Sequence, residues 1–289
     1  MASALLLSAA AAAAENWICP ICGQEITIDY CLNCKIQNPN LIRCPECGTA
    51  YPKDTELEYC DYCGTKLRKN GKGASEGIEA GDTVTFGTYP QTAAGKDKTP
   101  IEWTVLEVRD GKAFLISVHG LHMKVYNSQK KKVTWATCSL RKWLNGDFLK
   151  KAFTKEEQEM ILVTTVDNSK SQGQSSWKTN GGKNTKDRIY LLSVKEAKQY
   201  FNVKLKDKKN FSPRIRPTAY AVQKTNAFAS KRYFTEDGIA ATWWWLRSPG
   251  TAQNKAAFVD SSGELLSNEV NFGHPCIRPV LWVKLEALD

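Results

Sequence analysis

The sequence predicts an α+β protein in two parts, a small cysteine-rich module followed by a larger domain of short helices on irregular antiparallel sheet. Three observations predict it. Eight of the ten cysteines fall between Cys19 and Cys63. Beyond residue 81, hairpin signals and helix-start signals come in mixed order. Neither a sustained βαβ alternation nor a glycine-rich phosphate loop is present, which argues against a doubly wound nucleotide-binding fold.

Residues 1–15 form an apolar leader, too short for a bilayer span of about 20 residues. It has the apolar core and small residues of a secretory signal but lacks the basic start. Export would carry eight thiolates into an oxidising compartment, so cytoplasmic residence is expected, with export left open. Residues 16–66 hold four C-x-x-C pairs: Cys19/Cys22, Cys31/Cys34, Cys44/Cys47 and Cys60/Cys63. Two sulfurs at that spacing on a tight turn bind one ion, and two such turns complete a tetrahedron of thiolates around zinc. Glycine follows the second cysteine in CPICG, CPECG and CDYCG, where a left-handed residue lets backbone amides turn toward sulfur. A disulfide framework is the competing reading, and four regular pairs weigh against it. Spacing leaves two orders open: sequential pairing, which needs only local hairpins, and interleaved pairing, which closes longer loops. Either order leaves no open coordination position, so the sites are structural. A module with so few large apolar residues depends on its metal to fold.

Residues 67–80 (LRKNGKGASEGIEA) read as a flexible linker. Residues 81–289 then hold eight of the nine tryptophans. VLEVRDGKAFLISV is a hairpin about Asp110-Gly111. Thr154 with Glu157 and Ser193 with Glu196 are capping boxes. SLRKWLNGDFLKKAF sets Leu140, Trp143 and Leu144 at helical spacing. AAFVDSSGELL is a second hairpin, with Asp260 to Gly263 at its turn. CIRPVLWVKL is apolar on both faces, so it should lie centrally or be covered twice.

Apolar residues at 42% and charged residues at 24% describe an ordinary soluble chain and exclude extensive disorder. No apolar run is long enough for an integral membrane helix. The net charge is +10, and residues 1–75 hold 7 basic and 8 acidic side chains, so the surplus lies in the larger domain. Lys130-Lys131-Lys132 and the run Lys204, Lys206, Lys208, Lys209 keep a nucleic-acid-associated reading open, below the main one.

Over residues 16–66 the chain resembles the double zinc ribbon family, which implies two structural Zn2+, sequential pairing and an interaction module for a protein partner. GDTVTFGTYPQ, IEWTVLEV, SLRKWLNGDFLKKAF, DRIYLLSVKEA, WWWLRSPG and CIRPVLWV follow in that order. They resemble a widespread bacterial domain of unknown function found behind zinc ribbons. The closing WWLRSPG…AAFV…G…IRPVLW looks like the C-terminal part of the C-type lectin fold of the formylglycine-generating-enzyme type. Variable ligand-binding proteins of diversity-generating retroelements share that fold. The resemblance implies first and last strands side by side and a binding surface built by the C-terminal part. Cys276 departs from the small residue or glycine expected there, and loop 168–187 is unusually long.

Aromatic rings with a few polar groups suit glycans, peptides or protein surfaces. Trp245 and Arg247 are candidates, on the strand face opposite Trp244 and Leu246, with internal pairing of Arg247 to an acidic residue an equal expectation. Thr251, Gln253, Asn254, Lys255, Asp260, Asn268, Asn271 and His274 are polar and lie in loops or turns, where the resembled fold displays its binding face. The polar loop 168–186, with its solitary Trp177, is a candidate border of the same surface. Catalysis is not expected. Cys138 and Cys276 stand far apart in sequence, unlike the cysteine pair of sulfatase-activating enzymes. His119, His122 and His274 lack a neighbouring carboxylate for a facial iron site, and no nucleophile elbow is present. The expectation is a non-catalytic binding protein for a protein or glycan ligand. An oxidase-like enzyme of the same fold is the alternative beside the nucleic-acid reading.

Overall fold

In the computed structural model the chain divides into two units, Met1–Lys69 and Asn70–Asp289. The structure describes residues 16–18, 24–27, 30–31, 36–38, 41–43, 49–52, 57, 77–201, 213–224, 229–234 and 240–288. In the first unit, three short hairpins form. Strands β1 (Trp17–Ile18) and β2 (Glu25–Ile26) pair antiparallel, as do β3 (Tyr30–Cys31) with β4 (Ile36–Gln37) and β5 (Leu41–Arg43) with β6 (Ala50–Pro52). Each hairpin encloses one C-x-x-C in sequence: Cys19/Cys22, Cys31/Cys34 and Cys44/Cys47. Seven of the eight cysteines (all but Cys31) lie outside the described residues, and so does most of the 67–80 linker.

The second unit is mixed α+β, with curled sheets and few helices. One sheet has the order β19-β9-β8-β7, built from β7 (Thr83–Tyr89), β8 (Thr99–Arg109), β9 (Lys112–Ser117) and the last strand, β19 (Val280–Lys284). Asp110 and Gly111 take φ of 49° and 70°, the left-handed pair that matches the twist of the β8–β9 hairpin. The other sheet has the order β10-β18-β15-β16-β17. Its strands are β10 (His122–Met123), β15 (Trp244–Pro249), β16 (Lys255–Val259), β17 (Leu265–Glu269) and β18 (Cys276–Ile277). Two ribbons complete the strands: β11 (Thr164–Val166) with β12 (Thr185–Asp187), and β13 (Ala229–Phe234) with β14 (Ala240–Thr242).

The helices are short. A helical run carries α1 (Ser139–Trp143), a π segment (Leu144–Phe148) and α2 (Leu149–Ala152), burying Leu140, Leu144, Phe148 and Leu149. Then come α3 (Lys155–Met160), α4 (Val194–Tyr200) and α5 (Ala219–Lys224). Both capping boxes form: Thr154 and Glu157 at α3, Ser193 and Glu196 at α4. Trp103, Trp135, Trp244 and Trp245 are fully buried. Each indole N–H finds an acceptor, respectively Phe86 O, Asp187 Oδ2, Pro213 O and Lys124 O, as a buried polar handle must.

Two expectations are corrected. The first and last strands of this unit are not neighbours: β7 and β19 occupy opposite ends of their sheet. The β7–β8 loop and the two-residue β8–β9 turn hold the three strands in a meander, leaving the free side of β9 for β19. The C-terminal segment is also not one strand. Arg278-Pro279 divides it into β18 and β19, one in each sheet. Its expected double cover does hold, because Val280–Val283 is buried and bridges from Tyr190 and Ile161 close its outer side.

Candidate functional site

Capping of α4 at Ser193 sets its register, and that register lays Val194, Ala197, Lys198 and Phe201 along one side at i, i+3, i+4 and i+7. These four form one wall of an open groove of about 520 Å3. The opposite wall is the β16–β17 hairpin, through Val259, Gly263 and Leu265, and Pro213 closes one end. Val259 and Leu265 are directly opposed across the two strands, so both side chains project to one face. Gly263 has φ of 90°, which the turn needs and a side chain would strain. Gln174 and Trp177 from loop 168–187 complete the groove. Lys198 Nζ donates to Gln174 Oε1, putting a charge and an amide beside the apolar walls.

Loop 168–187 is closed at its base by the β11–β12 ribbon. Asn168 Nδ2 donates to Lys183 O, and Thr179 Oγ1 donates to Gly250 O. Gln253 Oε1 accepts from Asn180 N while its Nε2 donates to Asn180 O and Val133 O. A segment that sequence periodicity leaves without structure is therefore fixed by side-chain bonds to backbone, and Trp177 is held on it.

The remaining sequence candidates separate into four places. Trp245 and Arg247 belong to the interior, which takes Trp245 off the ligand surface and gives Arg247 the internal acidic partner that was its other expectation, Glu196. β15 is covered on both faces, and every residue from Trp244 to Pro249 is buried. Arg247 donates to Leu191 O, to Asp167 O and to both oxygens of Glu196. Asp260 sits at the hairpin turn beside the groove, where its Oδ1 accepts from Ser262 N, Ser262 Oγ and Glu264 N. It shapes the turn. Thr251, Asn254, Lys255, Asn268, Asn271 and His274 gather at the other end of the hairpin, four residues or about 14 Å along β16 from the groove. There Thr251 and Asn271 are exposed, Asn268 Oδ1 accepts from Glu269 N, and His274 packs on Phe272 with ring centroids 4.7 Å apart. Gln253 belongs to the loop clamp. The apolar walls were the missed part of the site, and the 194/197/201 stripe was the signal available for them.

Chemistry elsewhere is muted. Burial pushes the thiols of Cys138 and Cys276 up to about 12, so neither is a thiolate near neutrality. The structure brings Glu102 to 3.6 Å from His119, a partner invisible in sequence. Burial first, then Arg216 and Arg278, holds His119 neutral. His122 Nδ1 meets Tyr89 OH at 3.2 Å. Among the described residues, no three His, Cys, Asp or Glu side chains group to hold a metal. A second groove, of about 350 Å3, runs beside β7 past Thr85, Thr88, Glu156 and Glu157; none of the sequence candidates lines it.

A family model described as a domain of unknown function (DUF6273) matches residues 110–285. No curated protein and no solved structure matches the chain.

Proposed function

This chain belongs to the DUF6273 family, and from that premise we propose that it is a non-catalytic binding protein whose recognition surface includes the Trp177 groove. One observation carries the reading: a groove of about 520 Å3 with Val194, Ala197, Phe201, Val259 and Leu265 in its walls and Gln174 and Lys198 beside them, whose Trp177 is held by a loop tied to Gly250 and Gln253. Ligand sites are commonly concave, apolar and sparsely polar in this way. Buried thiols and a neutral, arginine-packed His119 support the absence of catalysis.

The N-terminal module enters the proposal as a pair of structural zinc sites on Cys19, Cys22, Cys31, Cys34, Cys44, Cys47, Cys60 and Cys63. The donor set fits zinc, and so does the placement of three C-x-x-C pairs within hairpins. Bound zinc would supply folding energy there and leave no position for chemistry. The finer fold assignment, a C-type lectin of the formylglycine-generating-enzyme type, and the link to variable proteins of diversity-generating retroelements rest on the motif order alone.

The neutral fluorophore N-phenyl-1-naphthylamine tests the groove. The full chain should bind it saturably, and Trp177→Ala should weaken binding tenfold or more without moving the melting temperature by more than a few degrees. Non-saturable uptake, or equal uptake by the variant, would remove the groove from the function.

A further inference from the structure

We propose that the groove takes an apolar side chain of an acidic, extended peptide from a partner protein, which adds as a strand along the outer edge of β17. The proposal rests on the reading of the groove as a binding site and names its occupant.

The edge comes first. β17 ends the five-stranded sheet, and among the described residues no strand pairs with its outer side. Leu266 on it is 42% exposed, and the one charged residue of β17, Glu269 at its far end, is paired with Lys130, which leaves the groove end of the edge without the charges that usually blunt one. An unpaired edge is a template for a further strand, whose main-chain bonds give affinity and whose alternate side chains give specificity. Register decides what those side chains meet. A strand added about 4.8 Å from β17 sets every second residue on the face of Leu265. That face is the groove, with Trp177 and Phe201 lining it too.

Charge decides the flanking residues of the peptide. Loop 168–187 and α4 expose Lys170, Lys178, Lys183, Lys186, Lys195 and Lys198. Their neighbouring carboxylates are engaged. Glu196 holds Arg247 and Ser193 N, Asp187 pairs with Arg141, and Asp167 accepts from Ser169 and Gln172. Asp260 holds its own turn, which leaves Glu264 as the exposed carboxylate of the hairpin turn. Lys198 spends one donor on Gln174, and an ammonium has three. Opposite charge on the incoming strand therefore steers and orients it.

The probe is a fluorescein-labelled nonapeptide with a central leucine, glutamate at the second and fourth residues on either side of it so that they share its face, and serine between, titrated with the full chain and followed by anisotropy. Saturable binding is expected, falling tenfold or more when alternate backbone nitrogens are methylated, when lysine replaces glutamate in the peptide, and in Lys198→Glu. Equal binding of the lysine peptide or of the methylated peptide would overturn the proposal. Preference for an oligothymidylate over the peptide would overturn it in favour of a nucleic acid. Peptide binding that emerges only after residues 202–212 are replaced by a glycine-serine linker would overturn it in favour of self-occupancy. Retained binding of N-phenyl-1-naphthylamine with no peptide binding would overturn this inference and leave the groove reading standing. Loss of both would bring down the two together.

Discussion

Replacing Arg247 by methionine separates an interior clamp from a ligand contact. The guanidinium side chain is 2% exposed, and its partner Glu196 is 26% exposed. It ties the start of α4, the backbone at Leu191 and the entry to loop 168–187 at Asp167. Methionine fills much of the same volume, so the cavity cost is small and the loss is electrostatic. Removing one member of a buried ion pair costs about 3–5 kcal/mol. Water reaching the quarter-exposed Glu196 recovers part of that, while two carbonyls lose donors worth about 1 kcal/mol each. The sum is about 4 kcal/mol. In a domain of this size that is a fall of roughly 8–16 °C in melting temperature. Glu196→Gln should cost about half as much, because glutamine still serves the capping box with Ser193. Calorimetric melting of both single variants and the double variant closes a cycle, with a coupling of at least about 1 kcal/mol expected. A methionine variant melting within 2 °C of the parent, or strictly additive changes, would refute the clamp.

Two further outcomes are expected. Elemental analysis should find two zinc ions per chain, and chelation should unfold residues 16–66 while the transition of residues 81–289 persists; structural zinc contributes about 10–16 kcal/mol in small peptides, and a zinc-free chain with its cysteines oxidised in pairs would replace metal by disulfides. Burial works against the charge of Asp97, but hydrogen bonds from Thr92, Thr99 and Gln91 outweigh it and hold the carboxyl well below its usual range. A folded-state pKa below the unfolded value stabilises above about pH 4 and is lost as pH falls below it, so Asp97→Asn should melt lower at pH 7 and the gap should close toward pH 2; a gap constant with pH would assign the effect to shape instead of charge.

Local chemistry was legible in the sequence wherever a few neighbouring residues decide the outcome. The Asp110-Gly111 turn, both capping boxes and the turn at Asp260 all formed as read. Strand alternation misplaced Trp245 and left Arg247 undecided between ligand and internal partner because it assumes one wet face, and nothing in WWWLRSPG reveals that β15 is covered on both sides. Only the partners show it: Lys124 O for Trp245, and Glu196 for Arg247. Loop 168–187 failed for a different reason. Its order comes from Asn168, Thr179 and Gln253 bonding to distant backbone, and such bonds leave no periodicity. The groove was half legible, since the α4 stripe is a local signal while Leu265 joins it from a hairpin some 65 residues further along the chain.

The division of the C-terminal segment at Arg278-Pro279 has a consequence for biosynthesis. β18 is the link between β10 and β15, and β19 seals the side of β9. Arg278 anchors the crossing, with its guanidinium carbon 4.8 Å from the Phe201 ring and 5.0 Å from that of Trp244, and its Nε donating to Ser117 O. A nascent chain that has delivered its first 270 residues therefore holds two incomplete sheets, each with an open apolar side. Contacts spanning about 165 residues must wait for β18 and β19 to leave the ribosome, and such non-local closure is slow. A premature stop anywhere before residue 276 would leave both sheets unfinished at once, which makes residues 276–284 as decisive for the yield of folded protein as any in the core.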